Sequence, residues 1–289
     1  MIEMEYVKLN DGNKMPQLGL GLFQIPNKDE AKRVVSEGLS EGYRLIDTAA
    51  AYYNEEAVGK AIAESNVKRE DIFVTSKLWI NKYSYEKALL GIDESLKKLG
   101  VDYIDLYLLH QPYGDIAGAW RALIEAKKAG KIRSIGISNF MPDRLLDLEL
   151  MSGVKPAVNQ IEVSPWYQQK KAVLYNQSRN IQVEAWAPFA EGKHQIFKNE
   201  KIAAIAEKYG KSNSQVILRW LIQRELVVIP KTVHKERMRE NAEVFDFKLD
   251  EADMKEMASL DMNESQFFDH RDPIAIENIF GASLRELKI

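Results

Sequence analysis

Gly19-Leu20-Gly21-Leu22-Phe23-Gln24 opens as a G-x-G turn and then departs from it, because Gln24 stands where the dinucleotide loop of a doubly wound sheet needs its third glycine. The acid that such a fold places ~20 residues further on is matched only by the more distant Asp47. A different rhythm starts here. Short apolar runs ending in polar residues, at 19–24, 44–48, 72–77, 104–110, 132–139, 157–160, 181–186 and 226–231, alternate with segments of helical periodicity. Near-continuously apolar strands, each followed by a helix, read as βα units with both sheet faces covered, and eight of them close into a barrel.

The segments between and around these runs fit that reading. Leu89, Ile92, Leu96 and Leu99 form one stripe of a helix stopped by Gly100, and Trp120, Leu123, Ile124 and Lys127 another ended by Gly130. Ser212 and Gln215 make a capping box before Val216, Ile217, Trp220 and Leu221. Ahead of the first run, Val7-Lys8-Leu9 and Met15-Pro16-Gln17 flank Asn10-Asp11-Gly12-Asn13, whose Asp-Gly supplies the positive φ of a tight hairpin. No linker or low-complexity stretch divides the chain. The expectation is one α/β domain over 1–289: an N-terminal β-hairpin (1–18), a (β/α)8 TIM barrel with accessory helices (19–263), and a C-terminal tail (264–289) near the barrel mouth.

Composition narrows the function. With 45% hydrophobic residues in 289, the chain can bury a core without covalent staples. It has no cysteine, which excludes disulfides, thiolate metal sites and a cysteine nucleophile. Met1-Ile2-Glu3-Met4-Glu5 has neither a cationic start nor an apolar core, and no segment reaches the ~18 apolar residues of a membrane span, so a cytoplasmic protein is expected. A net charge of -3 gives no general attraction to nucleic acid or anionic lipid, so any anion site must be local. The four histidines lie far apart without ligand spacing, and no metal is expected.

In a barrel, polar groups at the C-terminal strand ends converge on one mouth. Those ends supply Asp47 and Tyr52, Lys77, His110, Ser138-Asn139, Gln160, Trp186 and Lys231. Singly each has a plain role: a loop cap for Asp47, a solvated charge for Lys77, a satisfied buried imidazole for His110, a core aromatic for Trp186. Together, Asp, Tyr, Lys and His form a proton-donor site, in which an ammonium held by a carboxylate lowers a phenol pKa of about 10 and the imidazole orients a substrate oxygen. Two other readings stay open on these residues: an aldolase using Lys77 as a Schiff base, and a cofactor-sensing module with little turnover.

The motifs Asp47-Thr48-Ala49-x-x-Tyr52-x-Asn54-Glu55, Thr75-Ser76-Lys77-Leu78-Trp79, Asp105-Leu106-Tyr107-Leu108-Leu109-His110, Gly136-x-Ser138-Asn139-Phe140, Asn159-Gln160 and Ile229-Pro230-Lys231-Thr232-Val233-His234-x-x-Arg237-x-x-Glu240-Asn241 resemble the aldo-keto reductase family over essentially the whole chain. The tail stretch Phe267-Phe268-Asp269-His270-Arg271-Asp272-Pro273 is similar to that of microbial members related to 2,5-diketo-gluconate reductases and protozoan prostaglandin F synthases. The resemblance implies a monomeric NADPH-dependent reductase of small-molecule carbonyls, with NADPH/NADP+ preferred over NADH and with Asp47, Tyr52, Lys77 and His110 as catalytic tetrad and Tyr52 as proton donor. It implies that Ser138, Asn139 and Gln160 hold the nicotinamide carboxamide, that Trp186 stacks on the ring, and that Lys231 and Arg237 meet an adenosine 2′-phosphate. Gly21, Pro188, Thr232, Val233, His234, Glu240 and Asn241 complete the expected cofactor site. Phe23, Trp79, Gln111 and Phe268 are expected to line the substrate pocket, which would take aromatic or aliphatic aldehydes, α-dicarbonyls or keto-sugars. Three departures stand out: Leu22-Phe23 where Thr-Trp is frequent, Gln111 where Trp is common, and Ala187 where a Ser usually helps hold the pyrophosphate.

Overall fold

The computed structural model describes residues 4–287, so the first three residues assigned to the hairpin and the last two of the tail lie outside the described residues. The hairpin pairs β1 (Tyr6–Lys8) with β2 (Lys14–Pro16) in antiparallel register, Val7 opposite Met15, and Gly12 takes φ +92° at the turn. The eight expected strands follow as β3 (Gly19–Gly21), β4 (Leu45–Asp47), β5 (Phe73–Leu78), β6 (Ile104–Leu109), β7 (Ile132–Ser138), β8 (Val158–Glu162), β9 (Gln182–Trp186) and β10 (Val227–Val228). They pair in parallel in chain order, and contacts from the last strand back to the first close the barrel: a Leu18–Val228 bridge, Val228 N donating to Gln17 O at 3.0 Å and Gly21 N donating to Pro230 O at 3.1 Å. Gly21 is required at that seam, since a Cβ there would lie 2.9 Å from Ile229 O.

Strand side chains alternate between two apolar groups. Leu45, Phe73, Leu106, Leu108, Val158, Val227 and Ile229 fill the barrel interior, joined by Leu9 and Met15 of the hairpin, which plugs the N-terminal end. Ile46, Val74, Tyr107, Leu109, Ile137, Ile161, Val183 and Val228 face the surrounding helices. The helix Tyr85–Leu99 ends at Gly100 in left-handed conformation as expected, but its fully buried face is Ala88, Ile92, Ser95 and Leu99; Leu89 and Leu96 pack only at its edge. The helix Asn213–Gln223 starts with the Ser212–Gln215 capping box in both directions. The tail carries a helix, Pro273–Leu287, laid across the mouth.

Candidate active site

Strand parity builds the site. Continuing inward positions toward the C-terminal ends puts Asp47 after Leu45, Lys77 after Phe73, His110 after Leu108, Gln160 after Val158, and Lys231 after Ile229. A polar layer therefore caps the apolar interior. Lys77, whose side chain is wholly buried, donates to Asp47 Oδ1 and Oδ2 at 2.7 and 2.8 Å and to Thr48 O at 3.0 Å, and reaches the Tyr52 hydroxyl at 3.4 Å. Tyr52 is carried on the turn after β4. Its ring lies 5.6 Å from that of His110 and 5.1 Å from that of Phe23. The structure thus brings all four expected proton-transfer residues to one place. Asn54, buried in the same turn, fixes it: Asn54 donates to Leu22 O and Ile25 O, and accepts from Thr48 Oγ1 at 2.5 Å.

The electrostatics assign states to these groups. Burial alone would push the Lys77 ammonium down, but Asp47, then Tyr52 and Glu184, hold it above its usual value, so it stays charged. Burial pushes the Tyr52 phenol up; Lys77 pulls against this, Asp47 and Glu184 add to it, and the net direction is upward. That corrects the expectation of a lowered phenol: the carboxylate that holds Lys77 also repels a phenolate. Tyr52 is accordingly kept protonated, the state in which a donor begins. Burial, followed by Lys77 and His270, holds His110 well below the usual imidazole range, so it is neutral.

Sequence reading missed one member of this layer. Glu184, opposite Gln160 in the β8–β9 register, points into the barrel and is fully buried. The Gln160 Nε2 donates to both Asp47 Oδ2 at 2.8 Å and Glu184 Oε2 at 2.7 Å. The available signal was a single acid inside the apolar strand Gln182-Val183-Glu184-Ala185-Trp186, since buried charges are rare without a role or a partner.

The remaining expected residues surround this core. Ser138 Oγ donates to Gln160 O at 2.9 Å, Asn139 Nδ2 contacts Ser138 Oγ at 3.2 Å and Gln111 Oε1 at 3.3 Å, and Trp186 Nε1 donates to Asn139 Oδ1 at 2.9 Å. Gln111 is therefore turned toward Asn139, buried beneath the pocket. Further round the mouth, Lys231 and Arg237 are exposed and make no ion pair among the described residues, whereas their neighbours Lys235 and Arg239 both pair with Glu41. The helix Lys235–Ala242 begins there, with His234 offering no side-chain cap, so its first amides and positive end face outward beside two unspent cations. This donor set fits the phosphate of a dinucleotide. Thr232 and Asn241 are buried beside it, Thr232 Oγ1 accepting from His234 N at 3.2 Å, while Val233 packs on the core and Arg33 donates to its carbonyl. Glu240 accepts from Ser212 Oγ and so joins two helices. Pro188 is buried after Ala187, which takes φ +47°, a strained conformation for a residue with a Cβ.

The pocket wall comes largely from the tail. Trp79 lies 5.1 Å from the His110 ring and donates its indole hydrogen to Ser283 Oγ at 3.1 Å. Phe280 of the tail helix packs against Trp79, Tyr113 and Phe268, and Phe268 lies 4.2 Å from His270. Phe23 remains half-exposed at the rim. Phe280 was not singled out in the sequence, because it reaches the mouth only through the path of the tail; Tyr113, on the loop after β6, packs against it.

The sequence model of the Aldo/keto reductase family matches residues 17–262. The chain is 46% identical over 259 residues to the glyoxal reductase of Bacillus subtilis (strain 168), which covers 89% of this chain and 93% of that protein. It is likewise 46% identical over 261 residues to the methylglyoxal reductase DkgA of Escherichia coli (strain K12), with 89% and 94% covered. The crystal structure of a Bombyx mori aldo-keto reductase in complex with NADP matches with a TM-score of 0.87 at 35% identity, over 96% of this chain and 98% of that one. With the barrel, its closed hairpin end and the polar layer at its mouth, these likenesses make the chain a member of the aldo/keto reductase family, an oxidoreductase acting on carbonyl groups.

Proposed function

We propose that this protein is an NADPH-dependent reductase of aldehydes and α-dicarbonyls in which Tyr52 is the proton donor. The observation that carries the reading is Lys77, a wholly buried ammonium placed between the Asp47 carboxylate and the Tyr52 hydroxyl. When bound, NADPH supplies the hydride that the carbonyl carbon receives. The developing alkoxide takes its proton from Tyr52, and the phenolate left behind is stabilised by Lys77, whose charge the barrel has already desolvated. Neutral His110 orients the carbonyl oxygen toward Tyr52. The unpaired Lys231 and Arg237 select the 2′-phosphate, and so NADPH over NADH. The α-dicarbonyl preference draws on the reductases of glyoxal and methylglyoxal named above, and the aromatic wall of Trp79, Phe268 and Phe280 admits aldehydes with apolar substituents as well.

NADPH consumption against a carbonyl panel tests this. Tyr52→Phe should retain NADPH binding and lose ~100- to 10,000-fold in turnover; near-parental turnover would remove Tyr52 from its role. Arg237→Ala should weaken NADPH ~10-fold or more and leave NADH unchanged. Equal affinity of the parent protein for both cofactors would contradict the proposed selectivity.

A further inference from the structure

The layer beneath the reacting groups holds two buried acids against one cation. Asp47 and Glu184 stand on opposite sides of Gln160, and both hydrogens of its Nε2 are spent on them. An amide can be turned over without changing its shape, but here only one orientation places donors on two acids; the flipped amide would face both with its oxygen. Gln160 Oε1 is thereby left as the free acceptor, taking no hydrogen bond from the protein among the described residues. The second oxygen of Glu184, Oε1, is enclosed and without a partner. The groups that face Glu184 are Asp47 from β4, Tyr52 from the turn after it, Lys77 from β5 and Gln160 from β8; on its other side β10 offers only Val227, opposite it in register.

We infer that Glu184 is a positioning residue of this site: it fixes the Gln160 amide so that Oε1 accepts from the amide nitrogen of a nicotinamide carboxamide, and its own proton keeps the Asp47–Lys77 layer electrically neutral. The inference rests on the reading of the site as NADPH-binding. Burial, and next the charge of Asp47, push the Glu184 carboxyl up to about 8, so at neutral pH the proton is present. Its loss would add a negative charge that pushes Tyr52 further up, making the phenol a weaker acid toward the alkoxide. Carbonyl reduction should therefore decline as pH rises through about 8, with Glu184, rather than Tyr52, setting that limb.

Glu184→Leu and Glu184→Gln separate the two roles, because glutamine keeps the accepting oxygen and removes the charge. NADPH affinity is read by quenching of protein fluorescence, with no turnover required. Glu184→Leu should bind NADPH ~10-fold more weakly and Glu184→Gln within ~3-fold of the parent. On a Gln160→Leu background, Glu184→Leu should add nothing further, the signature of a residue acting through another. In the pH profile of turnover, the parent should lose rate above about pH 8 and Glu184→Gln should hold it to higher pH. Parental NADPH affinity in Glu184→Leu, or additive losses in the double variant, would overturn the positioning role. Coincident alkaline limbs for the parent and Glu184→Gln would overturn the charge role. If Glu184→Leu does not fold, Glu184→Gln decides both: coincident alkaline limbs overturn the charge role, and NADPH affinity more than ~3-fold below the parent overturns the positioning role. A parent that binds NADPH but reduces no carbonyl would count against the Tyr52 mechanism and leave the fluorescence test of Glu184 standing.

Discussion

Two buried aspartates sit near opposite ends of the same barrel, each in an apolar strand and each bonded to cations. Asp47 is the last residue of β4 and points inward, to a lysine whose side chain is 0% exposed. Asp105 is the second residue of β6 and accepts from Arg69 at 2.7 Å, Arg133 at 3.4 Å and Val74 N at 3.0 Å. Both guanidiniums also lie over the Tyr103 ring, at 4.3 and 3.6 Å, with side chains 23% and 44% exposed. The contrast lies in what the cation has left to do. Around Asp105 each arginine is consumed by the strand and loop it ties together, and solvent shares the charge. Lys77, itself wholly buried, also reaches one group outside the strands, the part-buried Tyr52 hydroxyl. Position along the strand and parity across it, not residue type, separate Asp105, tied to partly exposed arginines, from Asp47, tied to a buried lysine at the mouth.

Lys77→Met is the sharpest way to break this comparison. It should cut carbonyl turnover at least ~100-fold and, by leaving Asp47 buried without its counter-ion, cost about 3 kcal/mol of stability. A variant with about a tenth of parental turnover would show that the ammonium is structural after all. Asp105→Ala should do the reverse, lowering stability by about 1–2 kcal/mol in urea denaturation while turnover per folded molecule is unchanged. The figure is modest because burial raises the Asp105 carboxyl against the pull of Arg69 and both arginines keep some solvent. Altered turnover in the folded Asp105→Ala protein would erase the distinction. The last test concerns Glu184. With its carboxyl raised from about 4.5 to about 8, the folded state keeps a proton that the unfolded chain has released. Its stability penalty is absent below about pH 4.5, grows up to about pH 8 and is constant above. Glu184→Gln should flatten that part of the stability-pH curve, and an unchanged slope would place the titration elsewhere.

The legible parts of the molecule are those governed by local periodicity. Eight apolar runs gave eight strands, Gly12 its turn, Gly100 a helix stop and Ser212 a cap. The polar residues at the run ends gathered at one mouth because every strand points the same way. The upward shift of Tyr52 was not legible, since it depends on how much water the closed barrel removes and on a second acid across it. Glu184 was hidden for the same reason: in sequence it is one acid among many, and its meaning comes from lying across Gln160 from Asp47. The contribution of Phe280 depended on where the tail crosses the mouth, a long-range packing fact that no local pattern encodes.

That tail stands apart from the strand-borne groups it covers. Asp47, Lys77 and Tyr52 stand on strands and on the turn after β4, while part of the aromatic wall beside His110 belongs to a segment with fastenings of its own, three of which are Trp79 to Ser283, Tyr113 to the His270 carbonyl at 2.8 Å, and Arg271 to Asp143 at 2.7 Å. None of the three passes through Asp47, Tyr52 or Lys77. On the proposed scheme, changes in the tail would alter the wall beside His110 while leaving the Asp47–Lys77–Tyr52 contacts in place.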